Sequence, residues 1–105
     1  IASDYEKDTL ISKLSNSGTF AATHSIIQNL SEFEDFSTKQ ANDIIYAGIT
    51  NNQIFWIGKD PDVNIFMNKI YDKYNDSIAK EYSELFLAYY RSSEEQNDDE
   101  DIFSF

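Results

Sequence analysis

The sequence predicts an all-α fold, a compact bundle of about five short antiparallel helices followed by a disordered acidic tail. Its 105 residues include only three Gly and one Pro, fewer turn-forming residues than a β-sandwich or barrel usually needs. Hydrophobic residues make up 41% of the chain and recur at helical spacing, which suffices for one modest core. Short connections favour antiparallel neighbours. The predicted helical domain covers residues 1–92, and the tail covers residues 93–105.

Two helices are predicted before residue 37. The first begins at residues 3–6 (Ser-Asp-Tyr-Glu), which have the spacing of a capping box, and it ends at residues 16–18 (Asn-Ser-Gly). The second is capped by Thr19 and runs to about Phe33 or Phe36. The predicted apolar stripe of the first helix consists of Tyr5, Leu10, Ile11 and Leu14.

The third helix has the clearest start in the sequence. Ser37 and Gln40 have the spacing of a second capping box, and Phe36 stands at the position of a hydrophobic staple. The helix is predicted to stop at residues 51–52, two asparagines. Residues 53–58 (Gln-Ile-Phe-Trp-Ile-Gly) fit either a short strand or a buried helical turn. We favour the turn, because no other segment offers a partner for a strand.

Asp60 followed by Pro61 predicts the start of a fourth helix, since Asp is a favoured cap and Pro is favoured at the first helical position. An apolar face continues to Tyr74, and residues 75–76 (Asn-Asp) break the helix. A fifth amphipathic helix is predicted over residues 78–91. These segments give the five helices of the predicted bundle.

The acidic residues are unevenly distributed along the chain. The formal net charge is −11, and six acids without any base lie from Glu94 onward. The preceding residues carry the other 13 acids and all eight bases. No cluster of Lys and Arg could neutralise a phosphate backbone, so direct binding to nucleic acid is not expected. A basic protein is the expected partner. The oligomeric state stays open.

No enzymatic activity, metal or cofactor is expected from the sequence. His24 is the only histidine, and it has no sequence neighbour suited to act as a nucleophile or orienting carboxylate, so we expect a structural role. Familiar catalytic and nucleotide-binding motifs are absent.

There is no Cys, and no apolar stretch approaches the roughly 18 residues of a membrane span, so a soluble cytoplasmic protein is expected. Four acids lack the ligand pattern of a calcium loop: Asp60, Asp62, Asp72 and Asp76.

Three segments offer side chains for binding a partner. Residues 51–56 combine amides with an aromatic anchor, a composition common at interface hot spots. The alternative, that Phe55 and Trp56 belong to the core, stays open. The fifth helix and the tail add further aromatic, acidic and apolar side chains. The predicted partner-binding residues are Asn52, Gln53, Trp56, Tyr89, Tyr90, Asp99, Asp101, Ile102, Phe103 and Phe105.

The last eight residues, 98–105 (Asp-Asp-Glu-Asp-Ile-Phe-Ser-Phe), resemble the acidic C-terminal tip of bacterial single-stranded-DNA-binding proteins. In that tip an acid run leads to a short apolar end, whose terminal Phe docks in a basic-rimmed pocket. Residues 103–104 stand where that tip has a single Pro, and the helical body does not resemble the β-barrel of that family. The resemblance implies a shared docking mode, provided that Phe105 is the native end. A solvated tail is the alternative.

Size, acidity and helicity together favour a non-catalytic protein-binding module. The leading hypothesis is an acidic inhibitor similar to bacterial immunity proteins and antitoxins, which would neutralise a basic partner such as a toxin nuclease through charge and shape. The alternative is a C-terminal helical regulatory or scaffolding domain of a larger nuclease or phage-defence protein. The start at Ile1 rather than Met favours that alternative, whereas an encoded start directly before Ile1 would favour the inhibitor.

Overall fold

The third helix of the chain forms the centre of the fold. The computed structural model describes residues 2–50 and 60–88, which contain five α-helices and no strand. The helices are α1 (Ala2–Ser15), α2 (Phe20–Leu30), α3 (Thr38–Thr50), α4 (Pro61–Tyr74) and α5 (Lys80–Phe86), with a 3-10 turn at Asn75–Ser77. α3 packs against α1, α4 and α5, while α2 lies against α1 and α4. The predicted all-α fold of about five helices is confirmed, and the antiparallel order of neighbours stays a prediction.

One apolar core joins these helices. Between residues 44 and 49 of α3 only the Tyr46 side chain is exposed, so this stretch of the helix contributes nearly its whole circumference to the core. Phe86 of α5 stacks on Tyr71 of α4 with the ring centroids 4.5 Å apart. Burying each large apolar side chain contributes about 1.5–3 kcal/mol relative to leaving it exposed. The buried apolar residues are Ile11, Leu14, Ile27, Leu30, Phe36, Ala41, Ile44, Ile45, Ala47, Ile49, Val63, Phe66, Met67, Ile70, Ile78 and Phe86.

The start of α3 is fixed by the predicted capping box. The Ser37 hydroxyl accepts a hydrogen bond from the Gln40 N–H at 3.1 Å, and Gln40 Oε1 accepts one from the Ser37 N–H at 2.8 Å. The amide of Gln40 also donates to Asp8 Oδ1 at 2.9 Å. The cap therefore satisfies two free N–H groups and ties α3 to α1. The predicted caps at Thr19 and Asp60 are confirmed as well.

The predicted extension of α2 to Phe33 or Phe36 is wrong, because the helix ends at Leu30. Beyond Leu30 the backbone bonds tighten to the i→i−3 pattern, with the Glu32 N–H donating to the Asn29 carbonyl. This turn redirects the chain, so that Phe36 enters the core and meets Phe66 edge to face at 6.3 Å. Apolar spacing alone could not mark the end, since apolar residues continue past it.

The inward face of α1 also differs from the prediction. The helix begins at Ala2, so Ser3 lies inside it rather than capping it. Tyr5, which was predicted in the apolar stripe, is 74% exposed. Lys7 occupies the inward position instead, and its side chain is only 12% exposed. It precedes Ile11 by one helical turn, and its long methylene stem suits a half-buried position.

α5 begins at Lys80, two residues later than predicted, because α3 holds the preceding backbone. Asn42 Oδ1 accepts a hydrogen bond from the Ala79 N–H at 2.8 Å, and Asn42 Nδ2 donates to the Ser77 carbonyl at 2.6 Å. Ile78, between these two contacts, is buried in the core although it lies outside the helix. A side chain on α3 therefore fixes the approach to α5.

Several predictions fall outside the described residues and stay predictions. They are the turn at residues 53–58, the continuation of the fifth helix to residue 91, the tail at residues 93–105 and its separation from a domain of residues 1–92. Within the described ranges, no helix combines the length and apolarity that crossing a membrane would require.

We expect Ser37→Ala to lower the free energy of unfolding by about 1 kcal/mol, because it removes the hydroxyl that caps α3. Urea denaturation followed by circular dichroism would measure the change. Ser25→Ala is the matched control, since Ser25 is an exposed position inside α2, where Ala is the better helix former. Equal destabilisation by both substitutions would show that the cap contributes nothing specific.

Candidate protein-binding surface

All ten side chains predicted to bind a partner lie outside the described residues, so their placement stays a prediction. They are Asn52, Gln53, Trp56, Tyr89, Tyr90, Asp99, Asp101, Ile102, Phe103 and Phe105. The described helices carry another candidate surface, which the sequence did not single out.

Two lysines hold the loop between α2 and α3 against the neighbouring helices. Lys73 of α4 donates to the Glu34 carbonyl at 2.8 Å and to Asp35 Oδ1 at 2.7 Å. Lys7 of α1 donates to the Asp35 carbonyl at 2.6 Å. Its ammonium also lies 5.5 Å from the ring centroid of Phe33, in cation–π contact. Both lysines therefore help to hold this loop in place.

Carboxylates outnumber lysines among the described residues, thirteen to six. Four of the six lysines form ion pairs with acidic side chains. Most of the protein's described positive charge is therefore already paired, and the excess negative charge faces solvent. A surface of this charge attracts cations over long range. The carboxylates that form no ion pair with any described residue include Glu6, Glu32, Glu34, Asp76 and Glu81.

The N-terminal half of α1 presents three acids around an exposed aromatic ring. We call Asp4, Tyr5, Glu6 and Asp8 the α1 crest. Tyr5 is the most exposed of the large hydrophobic side chains described, and Lys7 is turned beneath the crest. Tyr is one of the residues enriched at the hot spots of protein interfaces. Sequence reasoning missed the crest because it assigned Tyr5 to the core.

A groove between α1 and α3 lies on one side of the α1 crest. Its volume is about 760 Å³, and its walls include Asp4, Asp8, Asp43 and Tyr46. The hydrogen bond from Lys39 to Asp43, at 2.9 Å, raises the pKa of the Lys39 ammonium. Lys39 pairs with Asp43 and Lys7 pairs with Asp4, so Asp8 is the carboxylate of this groove that has no ion pair with a described residue, and the groove remains acidic.

A second groove, between α1 and the end of α2, lies on the other side of the α1 crest. It has a volume of about 330 Å³. Its walls are lined by Tyr5, Glu6, Thr9, Leu10, Asn29, Glu32 and Phe33. They include two carboxylates, two aromatic rings and no base. The α1 crest is thus flanked by acidic grooves on both sides.

A third groove, between α2 and α4, has a different character. It has a volume of about 440 Å³ and an apolar floor formed by residues such as Ile27 and Phe66. Its rim carries acids and bases together, including Asp62 and Lys69. This mixed charge gives no indication of which partner would fit, so we assign it no role.

His24 has a structural role that joins α2 to α4. Its Nδ1 lies 2.5 Å from Asp60 Oδ2, and the Asp60 side chain is buried. Asp60 Oδ1 accepts hydrogen bonds from the N–H groups of Asp62 and Val63, which caps α4. The sequence predicted the cap and the structural histidine. It missed the pairing, because the two residues are 36 positions apart.

His24, Asp60 and Asp62 also bring possible metal-ligating atoms within 4.8 Å of one another. Both oxygens of Asp60 are already engaged, one by the cap and the other by His24. The cluster stands at the N-terminus of α4, where the helix dipole disfavours a cation. The arrangement therefore serves capping and helix docking, and we assign no metal to it.

Comparison of the chain with protein-family models, with curated proteins and with solved structures gives no match. The function is therefore inferred from the chemistry of the described surface.

We expect a thermodynamic coupling between His24 and Asp60. In a double-mutant cycle, His24→Ala and Asp60→Asn should interact by about 1 kcal/mol, because Asn keeps the cap but removes the charged partner of the imidazole. Urea denaturation of the unsubstituted protein, the two single variants and the double variant would measure this coupling energy. The same cycle with Asp76→Asn, a distant exposed site, should be additive. Additivity at Asp60 would mean that the contact does not join the helices.

The stabilisation from the Asp35–Lys73 pair should depend on pH. The hydrogen bond from Lys73, and then its charge, lower the pKa of the Asp35 carboxyl. Such a group stabilises the fold above its unfolded-state pKa, and this stabilisation is lost as pH falls through the lower folded-state pKa. We therefore expect Asp35→Asn to destabilise the protein at pH 7 and to match the unsubstituted protein at about pH 2, as measured by urea midpoints.

The difference at pH 7 should be small, since both side chains are largely exposed, and it should shrink in high salt. Asp76→Asn, which removes a carboxylate with no described ion partner, is the control. If the Asp35→Asn difference stays constant from pH 7 to the acid limit, the ion pair does not account for it.

Proposed function

We propose that this chain is a non-catalytic protein-binding module, an acidic inhibitor that neutralises a basic protein such as a toxin nuclease. The observation that supports this function best is the α1 crest, three carboxylates around a 74% exposed Tyr5. Immunity proteins and antitoxins are the functional class that it fits, since they work by occupying a basic surface. Carboxylates of the crest would steer and orient the partner, and the aromatic ring would provide the contact area.

The geometry of the helices suits recognition of a surface better than turnover of a substrate. The crest projects between two open grooves, whereas catalysis usually requires convergent groups in a cleft that excludes water. The one described histidine is held by Asp60, whose other oxygen caps α4.

The α1 crest can be tested by removing its charge. The full chain, immobilised, would be used to capture proteins from a lysate of the source organism, and the activity of the captured partner would be assayed with added chain. Asp4→Asn with Glu6→Gln and Asp8→Asn should weaken binding roughly tenfold or more and relieve inhibition, because steering and rim contacts are lost. The Asp8→Asn substitution retains a side-chain oxygen for the Gln40 amide, so the fold should persist.

The matched control removes the same charge elsewhere, with Asp76→Asn, Glu81→Gln and Glu84→Gln near α5. We expect a basic partner, captured equally by the unsubstituted chain and the control, and weaker capture as ionic strength rises. A neutral or acidic partner, or one whose activity the chain leaves unchanged, would contradict the inhibitor function and favour a scaffolding domain. If both triple variants weaken binding equally, the α1 crest is not part of the interface.

A further inference from the structure

The groove between α1 and α2 has the features of a receptor for one cationic side chain. Tyr5 and Phe33 provide aromatic surface, and Leu10 provides an apolar wall. Glu6 comes from α1 and Glu32 from the turn after α2, so the carboxylates belong to different elements bordering the groove. Aromatic surface with uncompensated carboxylates is the combination that attracts a flat organic cation.

We propose that this groove binds an arginine side chain of the basic partner. The guanidinium is planar, so it can stack on an aromatic ring while its N–H groups donate to carboxylates in the same plane. The ammonium of lysine lacks both the flat face and the fork of donors. This assignment rests on the proposed function, because it names the side chain that the inhibited protein would insert.

The α1–α2 groove differs from the α1–α3 groove in that its carboxylates form no ion pair with a described residue. Neither Glu6 nor Glu32 forms an ion pair with a described residue, and no lysine lines the groove. In the α1–α3 groove, by contrast, Asp43 is already paired with Lys39 and Asp8 accepts from Gln40. A cation entering the α1–α2 groove displaces no existing ion pair of the described residues, so its charge is fully available to the two glutamates.

Lys7 is the closest base to consider, because its ammonium lies 5.5 Å from the centroid of the Phe33 ring. It does not line the groove, and its charge is held by the Asp35 carbonyl and by Asp4, 3.8 Å away. The loop contact from Lys7 also helps to place Phe33. Lys7 thus supports one wall of the groove instead of occupying it.

The test uses the full chain and a defined peptide, acetyl-Arg-Gly-Arg-amide, titrated into ¹⁵N-labelled protein and followed by NMR. We expect millimolar binding, with chemical-shift changes concentrated at residues lining the groove, such as Thr9 and Asn29. Glu6→Gln with Glu32→Gln should weaken binding roughly tenfold or more, the loss expected from removing charge-assisted hydrogen bonds. The control pair, Asp76→Asn with Glu81→Gln, changes the net charge equally and should leave binding unaltered.

Two further comparisons make the result decisive. The citrulline analogue of the peptide has nearly the same shape without the charge, and it should not bind; the lysine analogue should bind more weakly than the arginine peptide. Tyr5→Ala should also weaken arginine binding, and because Tyr5 is exposed this variant should fold normally. Shifts spread over the whole acidic surface, equal binding of citrulline, or no effect of the glutamate substitutions would overturn the assignment.

These outcomes separate the groove from the proposed function. If the peptide binds in the groove and no basic protein is inhibited, the arginine site stands and the inhibitor function fails. If a basic protein is inhibited equally by the unsubstituted chain and by Glu6→Gln with Glu32→Gln, the function stands and the groove assignment is wrong.

Discussion

The burial of α3 is the constraint on which the rest of the described structure depends. A helix packed against three others buries much of its surface, so the polar groups on its buried faces need partners within the protein. The Ser37–Gln40 cap satisfies its first turn, and Asn42 uses its amide to fix the approach to α5. The polar groups of α3 therefore help to determine where its neighbours attach. The burial of its apolar side chains provides the driving force for their packing.

The sequence contained most of the information about where helices begin. Thr19, Ser37 and Asp60 were predicted as caps and act as caps, because capping depends on contacts within a few residues. The end of α2 was not predictable in the same way. Phe33 and Phe36 continue an apolar pattern, and the contact of Phe36 with Phe66 comes from a helix that is distant in the sequence.

The candidate site was much less predictable than the fold. Tyr5 was assigned to the core from its apolar character. It lies outside instead, and Lys7 lies inside because it can satisfy its charge on the Asp35 carbonyl while its stem packs inward. That acceptor lies 28 residues away, in a loop whose path follows from the end of α2. The sequence did contain a signal, since Lys7, Ile11 and Leu14 share one helical face.

The acidic surface and the closure of the core have a common origin. Lys7 and Lys73 hold the α2–α3 loop in place, and this is the loop that brings Phe36 into the core. This role withdraws the Lys7 side chain from the open surface, so that it is only 12% exposed, whereas the Lys73 side chain remains 44% exposed. On α1 the effect is greatest, because Lys7 turns inward between acids that remain outside. The negative charge of the α1 crest therefore follows from how the protein folds, as well as from its acidic composition, and a partner would meet that charge on a rigid helix.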